Sequence, residues 1–535
     1  MSHNIASSPE TLLSTSLPCP PMATNDSSSA QATHIVLFPF PAQGHINPFI
    51  SLALLLHQHR PNLTVTLITT TQALESIRSS LPPSLPLRLH PLPFSPESFN
   101  LPPQTGTTTS LRFDQFLSFF HASFSLLPAF DSFISSIASN SNPVSIVSDI
   151  FFGWSVDVAH KYGAFHSILI TSGSFGAAVF FSICTHLPKN IQRGDEFFLP
   201  EYPGVVLHKS QLPKYWFDDS LSKQWGDVLQ RQILPCYKTD AMLANTVEEF
   251  EFTGLGMLRE TFKMPVWTMG PMLRTIDTTS ESDSCIINWL DSHKVGSVLF
   301  ISFGSQNTIQ EKQMMELALG LEAAGQPFMW VIRPPVGYDV RGEFKPEWLP
   351  EGFEERMRQD RKGLLIRGWA PQISILAHKS TGAFLSHCGW NSTLESLVHG
   401  VPIIGWPLSA EQFYNVMMLE KWGTSVELTR GNYEDSHVKR ERVREVIETV
   451  MGENEIRRNA REIKDLMENA WKEGGSSVNG FNAFLKKAGS TWKDKEKVDI
   501  DQWIPMDWDA IPLQMVQPRL GLAGPKIPEG NTTAK

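Results

Sequence analysis

Short apolar runs alternate with segments of helical character along most of the 535-residue chain. The first run, His34–Phe38, ends at Pro39 and is followed by a glycine-containing loop. Asn47 and Pro48 are residue types of a helix N-cap and a first helical position, so they predict that a helix opens there and continues through Leu56. Strand, loop and helix in this order form the repeating unit of a parallel sheet.

The same alternation continues in two series. The first predicts strands at 64–68, 145–147, 167–170 and 242–244, and the second predicts strands at 298–303, 328–332, 364–366, 383–386 and 403–406. Among the helices between them, Glu311–Ala324 stops at Gly325 and 394–399 stops at Gly400, which is usual helix-ending chemistry. The pattern therefore predicts the α/β class, with two doubly wound domains in tandem.

Changes in composition set the predicted boundaries. Residues 1–32 are rich in Ser, Thr, Pro and Ala, contain no Lys or Arg and have no signal-peptide core, so we expect a disordered tail. The domains are predicted at 33–270 and 284–488, with a polar linker at 271–283 and a second tail at 489–535. We expect the last helix to pack back on the N-terminal domain.

Charge and cysteine usage exclude several classes of protein. The net charge is −10 and the pI is about 5.9, so there is no basic field for nucleic acid. Five scattered cysteines form no zinc or disulfide pattern, which favours a reducing, cytoplasmic location. Residues 167–184 are uncharged but interrupted by polar residues and glycine, so we interpret them as a buried strand and core helix without stable membrane insertion.

The most informative segment covers residues 369–412. A strand at 383–387, a turn at Cys388-Gly389 and a helix opening at Trp390 would place free backbone N–H groups beyond a strand end, where a pyrophosphate binds. Asn391 and Ser392 add side-chain donors, and His387 can reach a phosphate oxygen.

Two further residues of this segment fit a nucleoside. Glu395 shares a helix face with Asn391 and Ser392 and suits vicinal ribose hydroxyls, while Trp369 offers a flat face for a base. The local pattern alone also allows ordinary structural roles, with Trp369 and Trp390 as core aromatics and Glu395 on a solvated helix face.

Residues 369–412 resemble the signature box of plant family 1 UDP-glycosyltransferases in order, spacing and length. The resemblance extends to FISFGS at 300–305, NTVEEFE at 245–251 and FPFPAQGHINP at 38–48, and it covers roughly residues 33–488. It implies a GT-B fold, in which two Rossmann-like domains face each other across a cleft and the C-terminal domain holds a UDP-sugar.

The resemblance also implies a role for each matching residue. Trp369 would stack on uracil, the Ala370 backbone and Gln372 would contact uracil and ribose, and Glu395 would hold the ribose hydroxyls. The implied diphosphate ligands are His387, Asn391, Ser392 and Ser305, and the residues facing the sugar are Trp390, Glu411 and Gln412, with Thr171 at the sugar 6-hydroxyl.

Two positions bear on the choice of sugar. Gln412 resembles glucose-using members of the family, whereas His at that position would indicate galactose. Glu411 departs from the Asp of many members and is one methylene longer. Glucose is the expected sugar, and xylose and galactose remain alternatives.

His45 and Asp149 follow two strands predicted to end on the same rim of the N-terminal sheet. The family resemblance implies that His45 is the general base and Asp149 the carboxylate that orients it. Asp149 could instead cap the following helix. Asp157 is a competitor for the carboxylate role, but it lies within a helical pattern.

The predicted reaction is an inverting displacement by an acceptor hydroxyl, with UDP-glucose and a small-molecule acceptor as partners. Phe113, Phe116, Phe119, Phe120 and Phe124 form an apolar helical stripe, which suits an apolar acceptor but is also typical of a core. We expect a monomer that uses no metal or other cofactor, since the acidic pairs at 499–501 and 507–509 lie in the tail.

Two rival classes of protein compete with this interpretation. One is a non-catalytic UDP-sugar binder, and the presence of His45, Asp149 and Gln412 argues against it. The other is a nicotinamide-dependent oxidoreductase, but no G-x-G-x-x-G follows the first strand.

Overall fold

The computed structural model describes residues 33–79, 81, 87–139, 143–186, 196–273, 281–431, 437–452 and 454–489. The predicted tails, apart from residue 489, and residues 274–280 of the predicted linker lie outside the described residues. The acidic pairs at 499–501 and 507–509 lie outside them as well.

The N-terminal half contains a parallel sheet, a small hairpin and helices packed around them. Its strands are β1 (His34–Phe38), β2 (Thr64–Thr70), β3 (Arg88–Leu92), β4 (Val144–Asp149), β5 (Phe165–Ile170), β6 (Glu196–Leu199), β7 (Tyr202–His208), β8 (Ala241–Ala244) and β9 (Val266–Thr268). Its helices are α1 (Gln43–His59), α2 (Thr71–Ser79), α3 (Phe116–Ser123), α4 (Leu127–Ala138), α5 (Ser155–Lys161), α6 (Ser174–His186), α7 (Asp219–Ile233) and α8 (Glu248–Phe262).

The C-terminal half repeats the architecture. Its strands are β10 (Val298–Ser302), β11 (Phe328–Val331), β12 (Gly363–Ile366), β13 (Thr381–Ser386), β14 (Ile403–Gly405) and β15 (Ser425–Glu427). Its helices are α9 (Glu281–Asp291), α10 (Glu311–Ala324), α11 (Phe353–Gln359), α12 (Gln372–Ala377), α13 (Trp390–Leu397), α14 (Gln412–Lys421), α15 (Arg440–Met451), α16 (Glu455–Ala470) and α17 (Ser476–Ala488).

The order of strands fixes where each domain can bind a ligand. The N-terminal sheet runs β3-β2-β1-β4-β5-β8-β9, and the C-terminal sheet runs β12-β11-β10-β13-β14-β15. All of these neighbours are parallel. The order reverses between β1 and β4 and again between β10 and β13, and ligands bind beyond the carboxyl ends of strands at such switch points. The predicted pair of doubly wound domains is confirmed.

Helix α1 departs from the prediction because it begins at Gln43 and includes Pro48 in its interior. Proline has no N–H, so Pro48 cannot donate to the Gly44 carbonyl four residues earlier. That carbonyl accepts a hydrogen bond from Asn391 Nδ2 in the C-terminal domain, at 2.9 Å. A partner distant in sequence therefore satisfies the group that proline leaves open.

Two other predicted boundaries and one predicted helical stripe differ. Helix α9 begins at Glu281, inside the predicted linker 271–283, and α13 ends at Leu397 instead of residue 399. The phenylalanine stripe is not one helix, because 3₁₀ turns at Phe113–Gln115 and Phe124–Leu126 flank α3.

Two apolar stretches contribute side chains to the protein core. Residues 167–184 form the end of β5, a short connection and most of α6, and these are largely buried. The stretch Phe116–Ala138 has the length and apolarity of a membrane span by composition alone. Within it, Phe119, Phe120 and Phe130 are buried in the N-terminal core.

The last helix, α17, packs on the N-terminal sheet although it follows the C-terminal domain in sequence. Phe481 and Phe484 are fully buried in the same cluster as Ile35 and Leu37 of β1. Ser477 Oγ donates to the Gly270 carbonyl at 2.5 Å. The chain thus crosses between the domains twice, and the second crossing carries a hydrophobic contact.

Candidate functional site

A cleft of about 3210 Å³ lies between the domains, lined by the loops that follow β1, β4 and β5 on one side and β10 to β14 on the other. Small-molecule pockets usually measure about 300–1,000 Å³, so this cleft can hold two substrates. The predicted site residues that line it are His45, Thr171, Ser305, Trp369, Ala370, Gln372, His387, Trp390, Asn391, Ser392, Glu395, Glu411 and Gln412. Asp149 lies directly behind His45 and is fully buried.

His45 and Asp149 form a close pair at the switch point of the N-terminal sheet. Nδ1 of His45 lies 2.7 Å from Oδ2 of Asp149, and 24% of the His45 side chain is exposed. A carboxylate can only accept, so Nδ1 carries the proton and donates it to Asp149. In the neutral ring, Nε2 then keeps its lone pair and can accept a proton.

The charges around His45 favour its protonated form. Burial lowers the pKa of His45, but the Asp149 carboxylate and, more weakly, Glu411 from the opposite domain raise it, and the net pKa lies above its ordinary value. A base with a raised pKa takes up a proton more readily.

The Asp149 carboxylate makes both contacts that the sequence suggested, one with His45 and one that caps the following turn. Its Oδ2 accepts from His45, while its Oδ1 accepts the Phe151 N–H at 3.1 Å and caps the short helix that follows β4. The cap fixes the carboxylate and thereby the ring of His45. Asp157, the competitor, is exposed and pairs with Lys238.

Thr171 lies beside the same imidazole. Its Oγ1 is 3.1 Å from Nδ1 of His45, and the residue is nearly buried. The loop that carries it is held by Glu251, whose carboxylate accepts the Ser174 and Phe175 N–H groups at the start of α6, at 2.7 and 3.1 Å. Burial raises the pKa of Glu251 to about 7, against the opposing effect of these hydrogen bonds. The segment 245–251 thus helps to position the site.

The strand-turn-helix at β13 and α13 provides an anion site. Cys388 has a φ of +61° and Gly389 is the N-cap, and the turn between β13 and α13 brings the start of α13 to the cleft, where the Glu411 carboxylate accepts the Trp390 N–H. Asn391 reaches across and donates to Gly44, next to His45. This hydrogen bond places the start of α13 and the imidazole on opposite walls of the cleft, close to one another.

His387 is a neutral, buried histidine. Burial, with a smaller contribution from Arg333, lowers its pKa to about 4, and its Nδ1 has no hydrogen-bond partner among the described residues. A Cβ added to Gly304 or Gly389 would lie 2.7 or 2.5 Å from the ring, so only glycine fits at either position. An orphaned ring nitrogen in a cleft is suited to a ligand atom.

Arg333 was missed in the sequence, although it directly follows the predicted strand 328–332. Its Nη1 donates to the Gly304 carbonyl at 2.5 Å, and its side chain lines the cleft. Within the described residues it makes no ion pair with a carboxylate. A partly buried guanidinium without a counter-ion is a favourable site for an anion.

The residues predicted for the nucleoside lie in the segment after β12 and in α13, which are in contact. Nε2 of Gln372 donates to Ser392 Oγ at 2.9 Å and to Glu395 Oε2 at 2.6 Å, and burial raises the pKa of Glu395 to about 7. Trp369 has 69% of its surface exposed at the cleft, which leaves the ring uncovered by protein, while Ala370 is buried.

The three residues of the C-terminal domain that are expected at the sugar each make different contacts. Trp390 is 2% exposed and donates its indole N–H to the Asn245 carbonyl at 2.8 Å, so it belongs to the domain interface as well as to the cleft wall. Gln412 accepts the Leu408 and Ser409 N–H groups, each at 3.0 Å. Burial raises the pKa of Glu411. The charges of Glu411 and His45 also act on each other, lowering the pKa of Glu411 and raising that of His45.

Aromatic side chains surround the N-terminal part of the cleft. The rings of Phe40 and Phe151 lie 5.8 and 5.4 Å from the His45 ring. Phe116 and Phe120 of the predicted stripe line the cleft, whereas Phe119 is buried behind it, and the side chain of Phe113 is outside the described ones. The cleft also contains Phe180, Tyr215, Trp216 and Trp225.

No group of three or more His, Cys, Asp or Glu side chains able to hold a metal is found in the described part of the chain.

The site combines a nucleotide-type anion pocket on one Rossmann-like domain with a His–Asp pair on the other. These features define a two-domain enzyme of nucleotide-sugar chemistry.

Comparison with known proteins supports this class. The family profile described as UDP-glucoronosyl and UDP-glucosyl transferase matches residues 283–468, and a glycosyltransferase N-terminal domain profile matches residues 31–274. UDP-glycosyltransferase 92A1 of Arabidopsis thaliana is 40% identical over 474 residues, covering 85% of this chain and 96% of the relative. Crocetin glucosyltransferase 3 of Crocus sativus is 41% identical over 440 residues, covering 79% and 92%.

A solved structure shows the same fold. The crystal structure of Medicago truncatula UGT71G1 complexed with UDP-glucose has a TM-score of 0.72 and 25% identity, covering 86% of this chain and 99% of that one. The chain belongs to the UDP-glycosyltransferase family, and its GT-B fold class is confirmed.

Proposed function

We propose that this enzyme transfers glucose from UDP-glucose to a hydroxyl of a small apolar plant metabolite, such as a flavonoid, another phenolic or a terpenoid, with inversion to a β-glucoside. The observation that carries the proposal is the position of the His45–Asp149 pair opposite the start of α13, bridged by the Asn391–Gly44 hydrogen bond. A base and an anion pocket on facing walls suit displacement of a diphosphate by a hydroxyl.

The diphosphate binds at the start of α13, with Asn391, Ser392, His387 and Ser305. Arg333 supplies a full positive charge beside His387, and the helix N-terminus adds a partial one. These groups balance the charge of the departing UDP, so the proposed mechanism uses no metal. Uracil stacks on the exposed face of Trp369, and Glu395, with Gln372, holds the ribose.

In the reacting step the acceptor oxygen attacks the anomeric carbon from the side of His45. The bond between that carbon and the phosphate oxygen breaks, and its electron pair leaves with UDP. The acceptor proton moves to Nε2 of His45, while Asp149 stabilises the imidazolium through Nδ1. Attack opposite the leaving group converts an α-linked donor into a β-linked product.

The choice of substrates rests on three observations. Gln412 and the printed activities of relatives, including a crocetin glucosyltransferase and a flavonoid 3-O-glucosyltransferase, favour glucose. The aromatic wall near His45 favours an apolar acceptor. For the location of the enzyme, the five scattered cysteines, which form no disulfide pattern in the sequence, favour the reducing cytoplasm.

The proposal is tested by incubating the purified protein with UDP-glucose, UDP-galactose or UDP-xylose and a panel of plant phenolics and terpenoids, with excess EDTA, and recording mass shifts. We expect a shift of one hexose with UDP-glucose and a smaller yield with the other donors. Products formed only with another donor, or only after Mn²⁺ is added, would contradict the sugar assignment or the metal-free mechanism.

His45→Ala is expected to lower transfer by about 10²- to 10⁴-fold, the usual contribution of a general base. The affinity for UDP should change little, because the proposed nucleotide ligands lie in the other domain. His57→Ala is the matched control, since His57 lies in α1 but does not line the cleft. Unchanged turnover in His45→Ala would refute the assignment of the base.

A further inference from the structure

Two side chains of the donor domain are linked to the segment that carries His45, Asn391 directly and Gln306 through Thr108. This segment, the base loop, comprises residues 41–45 between β1 and the first turn of α1. At its end, the Gly44 carbonyl accepts from Asn391 at 2.9 Å. At its start, the Pro41 carbonyl accepts the Thr108 N–H at 3.0 Å, and Thr108 Oγ1 in turn accepts from Nε2 of Gln306.

Gln306 follows Ser305 directly, in the loop after β10 that the proposed function assigns to the diphosphate. Asn391 is the second residue of α13, at the same proposed site. The two loops that flank the switch point of the donor domain therefore each provide one amide, which is linked to one end of the base loop directly at Gly44 or through Thr108 at Pro41. Neither amide touches His45 itself.

The base loop also has contacts within the N-terminal domain, where Asp149 holds the His45 ring. Ala42 N–H donates to Phe40 O, just before the loop, at 2.7 Å, and His45 N–H donates to Ala42 O, within the loop, at 2.9 Å. The Gly44 carbonyl has no helical partner because Pro48 lacks an N–H. Thr108 is 2% exposed, and its hydroxyl would lose the hydrogen bond from Gln306 if that side chain were removed.

We propose that Gln306 and Thr108 are positioning residues of the transfer reaction, which, with the Asn391–Gly44 bond, hold the base loop so that His45 faces the donor. The inference rests on the proposed function, since it concerns the same base and the same donor site. A general base misplaced by about 1 Å can lose up to about 10²-fold in rate. The pair thus makes the placement of the base depend on the placement of the donor domain.

The test compares Thr108→Val with Thr108→Ser. Valine keeps the shape of the side chain but removes the hydroxyl, whereas serine keeps the hydroxyl. We expect Thr108→Val to lower kcat by about 10-fold with the KM for UDP-glucose and the Kd for UDP within about twofold of wild type. Thr108→Ser should restore kcat to within about twofold.

The control for volume and polarity is Thr105→Val. Thr105 lies three residues before Thr108 and is 1% exposed. Its hydroxyl has no hydrogen-bond partner among the described residues, and it does not line the cleft. It should retain wild-type kcat. Gln306→Ala, in the other domain, should lose as much kcat as Thr108→Val, and the double variant should lose no more than either single one. If Thr108→Val does not fold, Gln306→Ala decides in its place.

A wild-type kcat in Thr108→Val or Gln306→Ala, equal losses in Thr108→Val and Thr108→Ser, or additive losses in the double variant would each overturn the positioning role. These outcomes leave the proposed function standing, provided that wild type and Thr105→Val transfer glucose. A wild-type protein that transferred no sugar would overturn the proposed function itself and, with it, the role of the pair.

Discussion

The pairing of His45 with a fully buried carboxylate has a consequence for the pH dependence of the reaction. Asp149 raises the pKa of His45 through its charge and its hydrogen bond. The base works when it is neutral, so kcat/KM should rise with pH through that raised pKa. Asp149→Asn removes the charge that stabilises the imidazolium, and we expect the acid limb to move to lower pH while the plateau falls by about 10²- to 10⁴-fold.

The measurement is a profile of kcat/KM against pH with UDP-glucose and one accepted phenol. The amide introduced by Asp149→Asn keeps an oxygen for the Phe151 N–H, so the cap of the turn is preserved. Asp157→Asn is the control, because Asp157 is exposed and pairs with Lys238 away from the cleft. An acid limb that stays in place, or that moves to higher pH, would show that Asp149 does not set the basicity of His45.

Residues at strand ends could be predicted from the sequence, whereas residues that meet across the cleft could not. His45 follows β1 and Asp149 ends β4, both recognisable buried strands, and parallel strands bring such ends to one rim. Thr108 and Gln306 are separated by 198 positions and come from different domains. No local periodicity reports such a contact, because it depends on how the two domains are placed.

At the scale of elements, the central strands of both sheets were predictable and several edge or outlying elements were not. Central strands are buried on both faces and read as continuous apolar runs, as β1 and β13 do. Strand β3 is an edge strand with exposed positions and a proline at Pro91, and β15 contributes three residues. The predicted start of α1 was wrong because the partner that makes Pro48 tolerable is Asn391, far along the chain.

Arg333, just after β11, lies near the proposed diphosphate site at the start of α13, so its charge should affect the binding of UDP. Arg333→Met keeps much of the length and apolar volume of the side chain but removes its charge. A hydrogen bond to a charged group contributes about 1.5–3 kcal/mol, so we expect the Kd for UDP to rise by about 10- to 100-fold. Uridine lacks phosphate, and its affinity should not change, while UMP should fall in between. Isothermal titration of the three ligands measures this series.

Arg367→Met is the control for that series. Arg367 follows β12 much as Arg333 follows β11, but it is paired with Glu354 and does not line the cleft. It should leave all three affinities unchanged. Equal losses for uridine and UDP in Arg333→Met would mean that Arg333 supports the fold of the Gly304 loop and does not bind phosphate.

At the scale of the whole molecule, hydrogen bonds across the domain boundary hold the two walls of the cleft in place. Trp390 and Trp422 donate their indole N–H groups to the Asn245 and Phe250 carbonyls, and Tyr414 donates to the Gln211 carbonyl. The first two bonds join the donor domain to segment 245–251, which supports Thr171, and the third joins it to the turn after β7. The relative position of the domains is therefore part of the site, which explains why motifs alone gave its members but not its geometry.

The return of α17 to the N-terminal sheet should matter for the same reason. A Cβ at Gly480 would lie 1.9 Å from the Thr268 carbonyl oxygen, so Gly480→Val must push the helix away from β9. Overpacking of this kind costs about 1–3 kcal/mol, and we expect a lower thermal unfolding midpoint. Transfer should fall as well, because a displaced helix loosens the domain arrangement. The affinity for UDP should not change, because the proposed UDP site lies in the C-terminal domain.

Gly489→Ala is the control, since its nearest neighbour lies 3.6 Å from the added Cβ. A Gly480→Val protein with the wild-type midpoint and wild-type kcat would show that the contact of α17 with β9 does not hold the two domains in place.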